Sequence, residues 1–300
     1  MSWAETARAH LLPDGRLRLT HGPIDVIVDC DGPGNAIRAA HLRARDAFQP
    51  MLAELVAELP RLRAPAGPAP QGDVAKRMHR AVSRFLGVFI TPMAAVAGSV
   101  ADHLLAAVLM PGHGLIRAHV NNGGDIALWT SDAPFRLAIC EDPLTRSTGA
   151  RAEIGPDDEI GGVATSGWRG RSHSLGIADA VTVLARDAAT ADAAATLIAN
   201  AVDLPDHPAV TRAPADSLSP DSDLGARLVT ADVRPLPLRD RQIALAHGSK
   251  LARRYISGGL IAAACLTCQT ERVVLGRAVT NPENPSIHGT NSRQKDLTHV

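Results

Sequence analysis

NNGGDI (residues 121–126) lies between two short apolar runs and determines how the middle of the chain folds. The runs at residues 114–120 and 126–130 have the composition of strands, so the paired glycines predict the turn between them. Glycine has no Cβ, and such a turn therefore also allows a ligand to approach the backbone closely. Taken alone, the segment is more typical of a plain hairpin turn than of a binding site.

GVATSG (residues 162–167) is the second motif. Residues 160–164 are predicted as a strand, which places Thr165 and Ser166 where that strand ends. Two hydroxyls beside a glycine favour a polar ligand. The structural alternative, in which both hydroxyls only make hydrogen bonds within a turn, is about equally supported by this motif alone.

ADAAAT (residues 191–196) is the third motif and falls in a helix predicted over residues 188–202. Asp192 and Thr196 stand four residues apart and share one face of such a helix. Their oxygens are of the type that a hard divalent cation prefers. Asp192 could instead simply favour the first turn of its helix, but the three motifs together suggest a site for a phosphate ligand and a metal.

At these three motifs the chain resembles the ApbE family of FAD:protein FMN transferases, in particular its short cytosolic branch. The resemblance implies an α+β fold in which an antiparallel sheet and helices pack around a central nucleotide cleft. It also implies that the protein binds FAD with Mg²⁺ and moves FMN onto a threonine or serine of an acceptor protein, releasing AMP. Because one fold can host several functions, the activity is an expectation of lower standing than the fold.

The resemblance also implies roles for nine residues. They are Asn122, Gly123, Gly124, Asp125, Thr165 and Ser166 at the flavin nucleotide, Asp192 and Thr196 at the metal, and His173 as the catalytic base. A lone histidine is more often a surface or core group than a catalytic one. The role of His173 therefore depends on the resemblance.

The chain also departs from the pattern of the transferases. Their GGIAKGYA-like segment contains a lysine, whereas the comparable residues 94–102 (AAVAGSVAD) contain none. Their HxxDPxTG motif has no match after His173, where the proline and the TG are missing. If transfer is retained, another cation must offset the phosphate charge, and Arg169 and Arg171 are the candidates.

Two other functions stay open for this sequence. The first is a flavin- or nucleotide-binding protein that kept the cleft and lost transfer. The second is a metal-assisted hydrolase of a nucleotide diphosphate. Bound flavin without AMP release would favour the first, and rapid FAD hydrolysis without an acceptor would favour the second.

Charge and composition make nucleic acid an unexpected partner. The 300 residues contain 31 Lys and Arg against 31 Asp and Glu, so the formal net charge is zero. Aromatic residues make up 3% of the chain, which leaves few platforms for stacking bases. A nucleic-acid binder usually has a basic surface and often such platforms, so we do not expect nucleic acid as a partner. The resemblance implies a flavin nucleotide and an acceptor protein instead.

Membrane attachment is not expected either. The most apolar stretch, residues 85–110, is interrupted by Pro92, Gly98, Asp102 and His103, and a bilayer requires ~20 largely apolar residues. The first twenty residues have no continuous apolar core of the kind found in a signal peptide. We therefore expect a cytoplasmic protein without a membrane partner, and the sequence does not predict its oligomeric state.

Cys265 and Cys268 form a CxxC in an apolar run. A zinc site needs about four ligands, and the chain contains no second CxxC or CxxH. Burial of both thiols as small apolar groups is the favoured interpretation, with a redox or metal role as the alternative.

Periodicity and turn residues predict one domain over residues 1–280, or two subdomains that meet at the cleft, and a disordered tail over residues 281–300. Further strands are predicted at residues 9–12, 16–20, 24–29, 135–140, 180–184, 229–236, 260–267 and 272–275. Helices are predicted at residues 35–59, broken at Pro50, and at 73–85, 93–110 and 240–255. Two segments rich in proline, residues 63–72 and 205–223, are predicted as loops.

Overall fold

The computed structural model describes residues 6–142 and 147–280. The tail predicted at residues 281–300 lies outside the described residues. The strands are β1 (Arg8–Leu11), β2 (Leu17–His21), β3 (Ile24–Asp31), β4 (Arg117–Asn122), β5 (Asp125–Thr130), β6 (Phe135–Asp142), β7 (Ser147–Ile154), β8 (Gly162–Ser166), β9 (Ala180–Ala185), β10 (Val210–Pro214), β11 (Leu228–Val233), β12 (Ala263–Cys268), β13 (Glu271–Gly276) and β14 (Val279–Thr280).

Most of the described helices follow one another between β3 and β4, and the others lie singly between later strands. They are α1 (Gly34–Phe48), α2 (Met51–Ala57), α3 (Leu59–Leu62), α4 (Asp73–Val82), α5 (Val96–Val108), α6 (Ala188–Ala201), α7 (Ala215–Leu218) and α8 (Leu238–Ser257). A short 3-10 turn, Pro92–Ala95, precedes α5. Strands and helices of this mixture, with antiparallel sheets, confirm the predicted α+β class.

The chain divides into two compact units. The first comprises the described residues up to Ala133 together with Gly155–Ala164 and Ala185–Ala193. The second comprises Pro134–Ile154, Thr165–Leu184 and the described residues from Ala194 onward. Helix α6 begins in the first unit and ends in the second.

The first unit is built on antiparallel strands in the order β1-β2-β3-β4-β5-β8. Burial alternates along β3, where Val26, Val28 and Cys30 are buried. Successive side chains of a strand point to opposite faces, so these three share one face of the sheet. Val28 pairs with Val120 of β4, which continues that apolar face across the sheet.

Helices α1 and α5 supply most of the apolar cover for this face. Ala40, Ala44 and Phe48 of α1 are spaced by four residues and buried in the same core cluster as Val28. Val100 and Leu104 of α5 belong to the same cluster. An i, i+4 spacing places such residues on one helical face, and the burial of this face fixes α5 over the strands that carry the glycine turn.

The second unit contains antiparallel strands in the order β9-β12-β13, a β10-β11 pair and a sheet of order β14-β7-β6. Helix α8 packs closely within it at Gly248. A Cβ on Gly248 would lie 2.3 Å from Cγ2 of Val202 and 3.0 Å from Cδ2 of Leu266. Only glycine allows this approach, which explains a glycine in the middle of a helix despite its cost of ~1 kcal/mol.

The structure corrects one predicted loop and adds a strand. Residues 205–223 were expected to be irregular, yet they contain β10 and α7. Strand β7 was not predicted. Across the described parts of the chain, no helix combines the length and the apolar character that a membrane span needs.

Candidate functional site

The NNGGD turn joins β4 to β5 as a two-residue hairpin loop. Asn122 pairs with Asp125 in the antiparallel ladder, which leaves Gly123 and Gly124 as the loop. Their φ angles are +68° and +113°, in a region that L side chains rarely adopt. A Cβ on Gly124 would meet no atom within 4 Å. The turn therefore requires glycine for its backbone conformation and presents an open surface at Gly124.

The asparagines of this motif have distinct structural roles. Asn121 Oδ1 accepts a hydrogen bond from the Gly124 N–H at 2.9 Å and thereby holds the loop. Asn122 is buried, and its Nδ2 donates to the Ala97 carbonyl at 3.2 Å. Asn122 therefore links the hairpin to the first turn of α5.

Asp192 of α6 meets the same turn of α5. Its Oδ2 accepts a hydrogen bond from the Gly98 N–H at 3.0 Å, and the Ala97 N–H also donates to its carboxylate. Burial raises the pKa of Asp192 well above its ordinary value, and the nearby charge of Asp125 raises it further, whereas the two N–H donors oppose the rise. The structure thus brings Asn122 and Asp192 together at the start of α5, with Asp125 close enough to Asp192 to affect its pKa.

Asp102, on α5, makes the corresponding contact with the start of α6. Its Oδ1 and Oδ2 accept hydrogen bonds from the N–H groups of Ala188 and Ala189 at 3.0 Å and 2.9 Å. Burial raises the pKa of Asp102 to about 7, and these two donors act against the rise. Since the first N–H groups of a helix have no partner inside it, each of the two helices receives a cap from a carboxylate of the other.

Gly98 permits this exchange of caps. A Cβ at Gly98 would lie 2.2 Å from the Ala188 carbonyl oxygen and 2.8 Å from the Ala189 nitrogen. The two backbones therefore approach more closely than any other residue would allow. Sequence reasoning missed this contact, and the signal for it was an isolated glycine inside a predicted helix.

Thr165 and Ser166 lie at the end of β8, as expected. The Thr165 hydroxyl is 2.8 Å from the hydroxyl of Thr182, and Ser166 is half-buried. Gly167 follows them in a close backbone contact, since its Cβ would lie 2.3 Å from the Asp179 carbonyl oxygen. These positions agree with either interpretation of the motif, and the ligand role of both hydroxyls stays a prediction.

Arg169 is one of the two cations suggested in place of the missing lysine, and it is engaged elsewhere. Its Nε donates to Asp179 Oδ1 at 2.6 Å, and its guanidinium stacks 4.7 Å from the ring centroid of Trp168. Asp179 is buried and also accepts hydrogen bonds from Trp168 Nε1 and the Gln269 N–H. The charge of Arg169 is thus largely matched by a buried carboxylate, whereas Arg171 is exposed.

His173 is half-buried and precedes a tightly held segment. Asn200 Oδ1 accepts hydrogen bonds from the Leu175 N–H at 2.8 Å and from the Ser174 hydroxyl at 3.2 Å. Arg212 of β10 donates to the Leu175 carbonyl at 2.5 Å. The strand that sequence reasoning missed therefore helps to fix the backbone beside His173.

The described side chains do not form a cluster that would identify a metal site. Within residues 6–142 and 147–280, no group of three or more His, Cys, Asp or Glu could hold a metal ion. The predicted pair of Asp192 and Thr196 does fall within the continuous helix α6. A site made from one carboxylate, one hydroxyl and backbone carbonyls stays a prediction.

Cys265 and Cys268 are three residues apart on β12 and both are buried. An odd spacing on a strand places two side chains on opposite faces. Burial raises the pKa of each thiol to about 12. These observations favour the packing interpretation, because a thiol that stays protonated is a poor nucleophile and metal ligand.

A family model, described as AbpE bacteria, matches residues 9–279. Among curated proteins, the UPF0280 protein of Methanothrix thermoacetophila is 42% identical over 132 residues, which are 43% of this chain and 52% of that protein. The UPF0280 protein of Archaeoglobus fulgidus is 38% identical over 131 residues, 44% of this chain and 51% of that protein. The chain thus spans about half the length of the curated relatives that it matches.

Two solved structures are also similar. The apo form of the flavinyl transferase ApbE of Pseudomonas stutzeri has a TM-score of 0.44 and 13% identity, over 92% of this chain and 96% of that one. The ApbE protein of Thermotoga maritima has a TM-score of 0.42 and 13% identity, with the same coverage. The family assignment rests on the family model, which matches most of the chain.

Proposed function

Since the chain belongs to the family described as AbpE bacteria, we propose that it is a flavin transferase that moves FMN from FAD onto a hydroxyl of an acceptor protein, with Mg²⁺. The observation that carries the proposal is that Asn122 and Asp192 both make hydrogen bonds to the first turn of α5, and that Asn122 lies on a hairpin whose backbone is open at Gly124 and whose Asp125 is close enough to Asp192 to raise its pKa. Acidic side chains next to an accessible glycine turn suit a nucleotide that arrives with a divalent cation.

The two neighbouring carboxylates of Asp125 and Asp192 are of a type that fits Mg²⁺. Asp125 and Asp192 lie close enough for the charge of one to raise the pKa of the other. Two like charges in such surroundings are unfavourable unless a cation or a proton offsets them. We propose that Asp192 and Thr196 hold the metal, with Asp125 near it, and that bound Mg²⁺ would offset the charge of the FAD pyrophosphate.

The chain would perform three tasks in the reaction. The Gly123-Gly124 turn would let the phosphate approach the backbone closely, and Thr165 and Ser166 would line the nucleotide site. The hydroxyl oxygen of the acceptor would bond to the FMN phosphorus as the bond from that phosphorus to the AMP oxygen breaks, and AMP would leave. His173 would take the proton of that hydroxyl.

A second function, flavin-nucleotide binding without transfer, is favoured by one observation. Residues 94–102 contain no lysine, and Arg169 is paired with Asp179. If no other cation offsets the charge that develops during transfer, the nucleotide would bind and stay intact.

Product analysis after incubation with FAD and Mg²⁺ distinguishes these functions. The purified protein is incubated with and without threonine-containing acceptor proteins, and AMP, FMN and FMN-modified protein are measured by chromatography and mass spectrometry. The transferase proposal predicts AMP together with FMN bound to the acceptor, and both should be lost in Asp192→Asn. The exposed Asp46 provides a matched control, and Asp46→Asn should behave as the wild type.

Two outcomes would contradict transfer. Intact FAD that stays bound, with no AMP from any acceptor, would support the binding protein instead. Free FMN and AMP that form at the same rate without an acceptor would support the hydrolase.

A further inference from the structure

Asp102 holds the beginning of α6 in a way that few side chains could. Its two oxygens accept hydrogen bonds from two successive N–H groups, those of Ala188 and Ala189. Above its pKa of about 7, Asp102 is ionised and can accept at both oxygens, whereas an asparagine of similar shape offers one acceptor and one donor. Asp187 completes the same turn, since its Oδ1 accepts from the Thr190 N–H at 2.7 Å.

The position of Asp192 depends on this turn. Asp192 lies four residues after Ala188, one helical turn along α6. A helix is stiff over such a distance, so a shift of the first turn moves the carboxylate that meets Gly98. The closeness of the Gly98 backbone to Ala188 leaves no room to absorb that shift within the contact.

We propose that Asp102 is a positioning residue for the nucleotide and metal site: it anchors the first turn of α6 and thereby sets where the Asp192 carboxylate lies. This inference rests on the proposed function, in which Asp192 holds Mg²⁺. Asp102 touches neither nucleotide nor metal in this account, and it acts only through the N–H groups of Ala188 and Ala189.

The test compares Asp102→Asn with Val108→Ala. Val108 is buried at the far end of α5, so its truncation lowers stability without removing either cap. The first measurement is the Mg²⁺-dependent gain in FAD affinity, taken by calorimetry at a temperature where all proteins are folded. We expect this gain to fall about 10-fold in Asp102→Asn, with little change in metal-free binding, and to stay at the wild-type value in Val108→Ala.

The second measurement needs no ligand. Amide hydrogen exchange should accelerate in Asp102→Asn at Ala188 and Ala189, and also at Ala97 and Gly98, whose N–H groups are held by Asp192. Val108→Ala should leave these four amides close to wild type.

The outcomes separate the two proposals. If the wild type gains no FAD affinity from Mg²⁺, the proposed function fails, and hydrogen exchange alone decides whether Asp102 positions Asp192. If the wild type gains affinity but both variants keep the full gain, the role of Asp102 is overturned. Unchanged exchange at Ala97 and Gly98 in Asp102→Asn would also overturn it.

Discussion

At the scale of single residues, Gly124 has two properties: its backbone conformation requires glycine, and the space beside it is open to a ligand. Its φ of +113° demands glycine, while the space around its missing Cβ is open. Gly15 in the β1–β2 turn has the same combination, with a φ of +89° and no atom within 4 Å of a Cβ. Gly15 lies in a turn outside the candidate site, which makes it a control for Gly124.

We predict that Gly124→Val and Gly15→Val both lose ~1–3 kcal/mol of unfolding free energy, because a branched side chain is strained at these φ angles. Only Gly124→Val should also lose FAD affinity when measured well below its unfolding temperature. Denaturant titration and calorimetry give the two quantities. Wild-type FAD affinity in folded Gly124→Val would show that the turn is purely structural.

His173 tests whether the protein carries out transfer. If His173 removes the proton of the acceptor hydroxyl, His173→Ala should slow AMP release by ~10²–10⁴-fold while FAD affinity stays nearly unchanged. Single-turnover measurements of AMP with saturating FAD provide the rate. Release at the wild-type rate would exclude His173 as the base.

At the scale of elements, the crossing of α5 and α6 depends on Gly98. A Cβ at Gly98 would lie 2.2 Å from the Ala188 carbonyl oxygen. This oxygen belongs to the backbone and cannot move aside as a flexible side chain would. We predict that Gly98→Ala lowers the unfolding free energy by ~2 kcal/mol or more, because the helices must separate and both caps weaken. Gly34→Ala is the control: its Cβ would lie 3.5 Å from the end of the Arg38 side chain, so it should be neutral or stabilising. Equal stability of the two variants in thermal unfolding would contradict the close crossing.

Element prediction from the sequence succeeded where local signals agree with the fold. The apolar alternation of β3 and the glycine pair between β4 and β5 identified those elements within about three residues. Strand β10 failed because its segment is rich in proline and aspartate, and its strand conformation depends on pairing with β11. Local composition carries no information about such a partner.

At the scale of the whole molecule, the candidate site could be predicted only in part. Asp192 was identified from its spacing within one helix, but its hydrogen bond to Gly98 joins positions 94 residues apart. The contacts of Asp102 with Ala188 and Ala189 join positions 86 and 87 residues apart. The hydrophobic periodicity of a sequence does not show contacts between positions so far apart along the chain. The caps that α5 and α6 provide for each other were therefore found only in the structure.

The unfolding free energy of the whole protein should depend on pH through the titration of Asp102. Because burial raises its pKa to about 7, the folded protein keeps a proton that the unfolded chain has already released near pH 4. The contribution of this group therefore lowers the unfolding free energy as the pH rises from about 4 to about 7, by roughly 1–4 kcal/mol. Asp102→Asn should remove this fall, and the exposed control Asp46→Asn should retain it. Denaturant titrations at several pH values would contradict the assignment if the Asp102→Asn curve ran parallel to wild type.

The central claim, that this chain binds a flavin nucleotide together with a divalent cation, is tested most directly by calorimetric titration of the wild-type protein with FAD, with and without Mg²⁺. We expect FAD binding that Mg²⁺ tightens, and an Asp192→Asn variant that binds FAD but has lost the contribution of the metal. The absence of FAD binding under both conditions would contradict it.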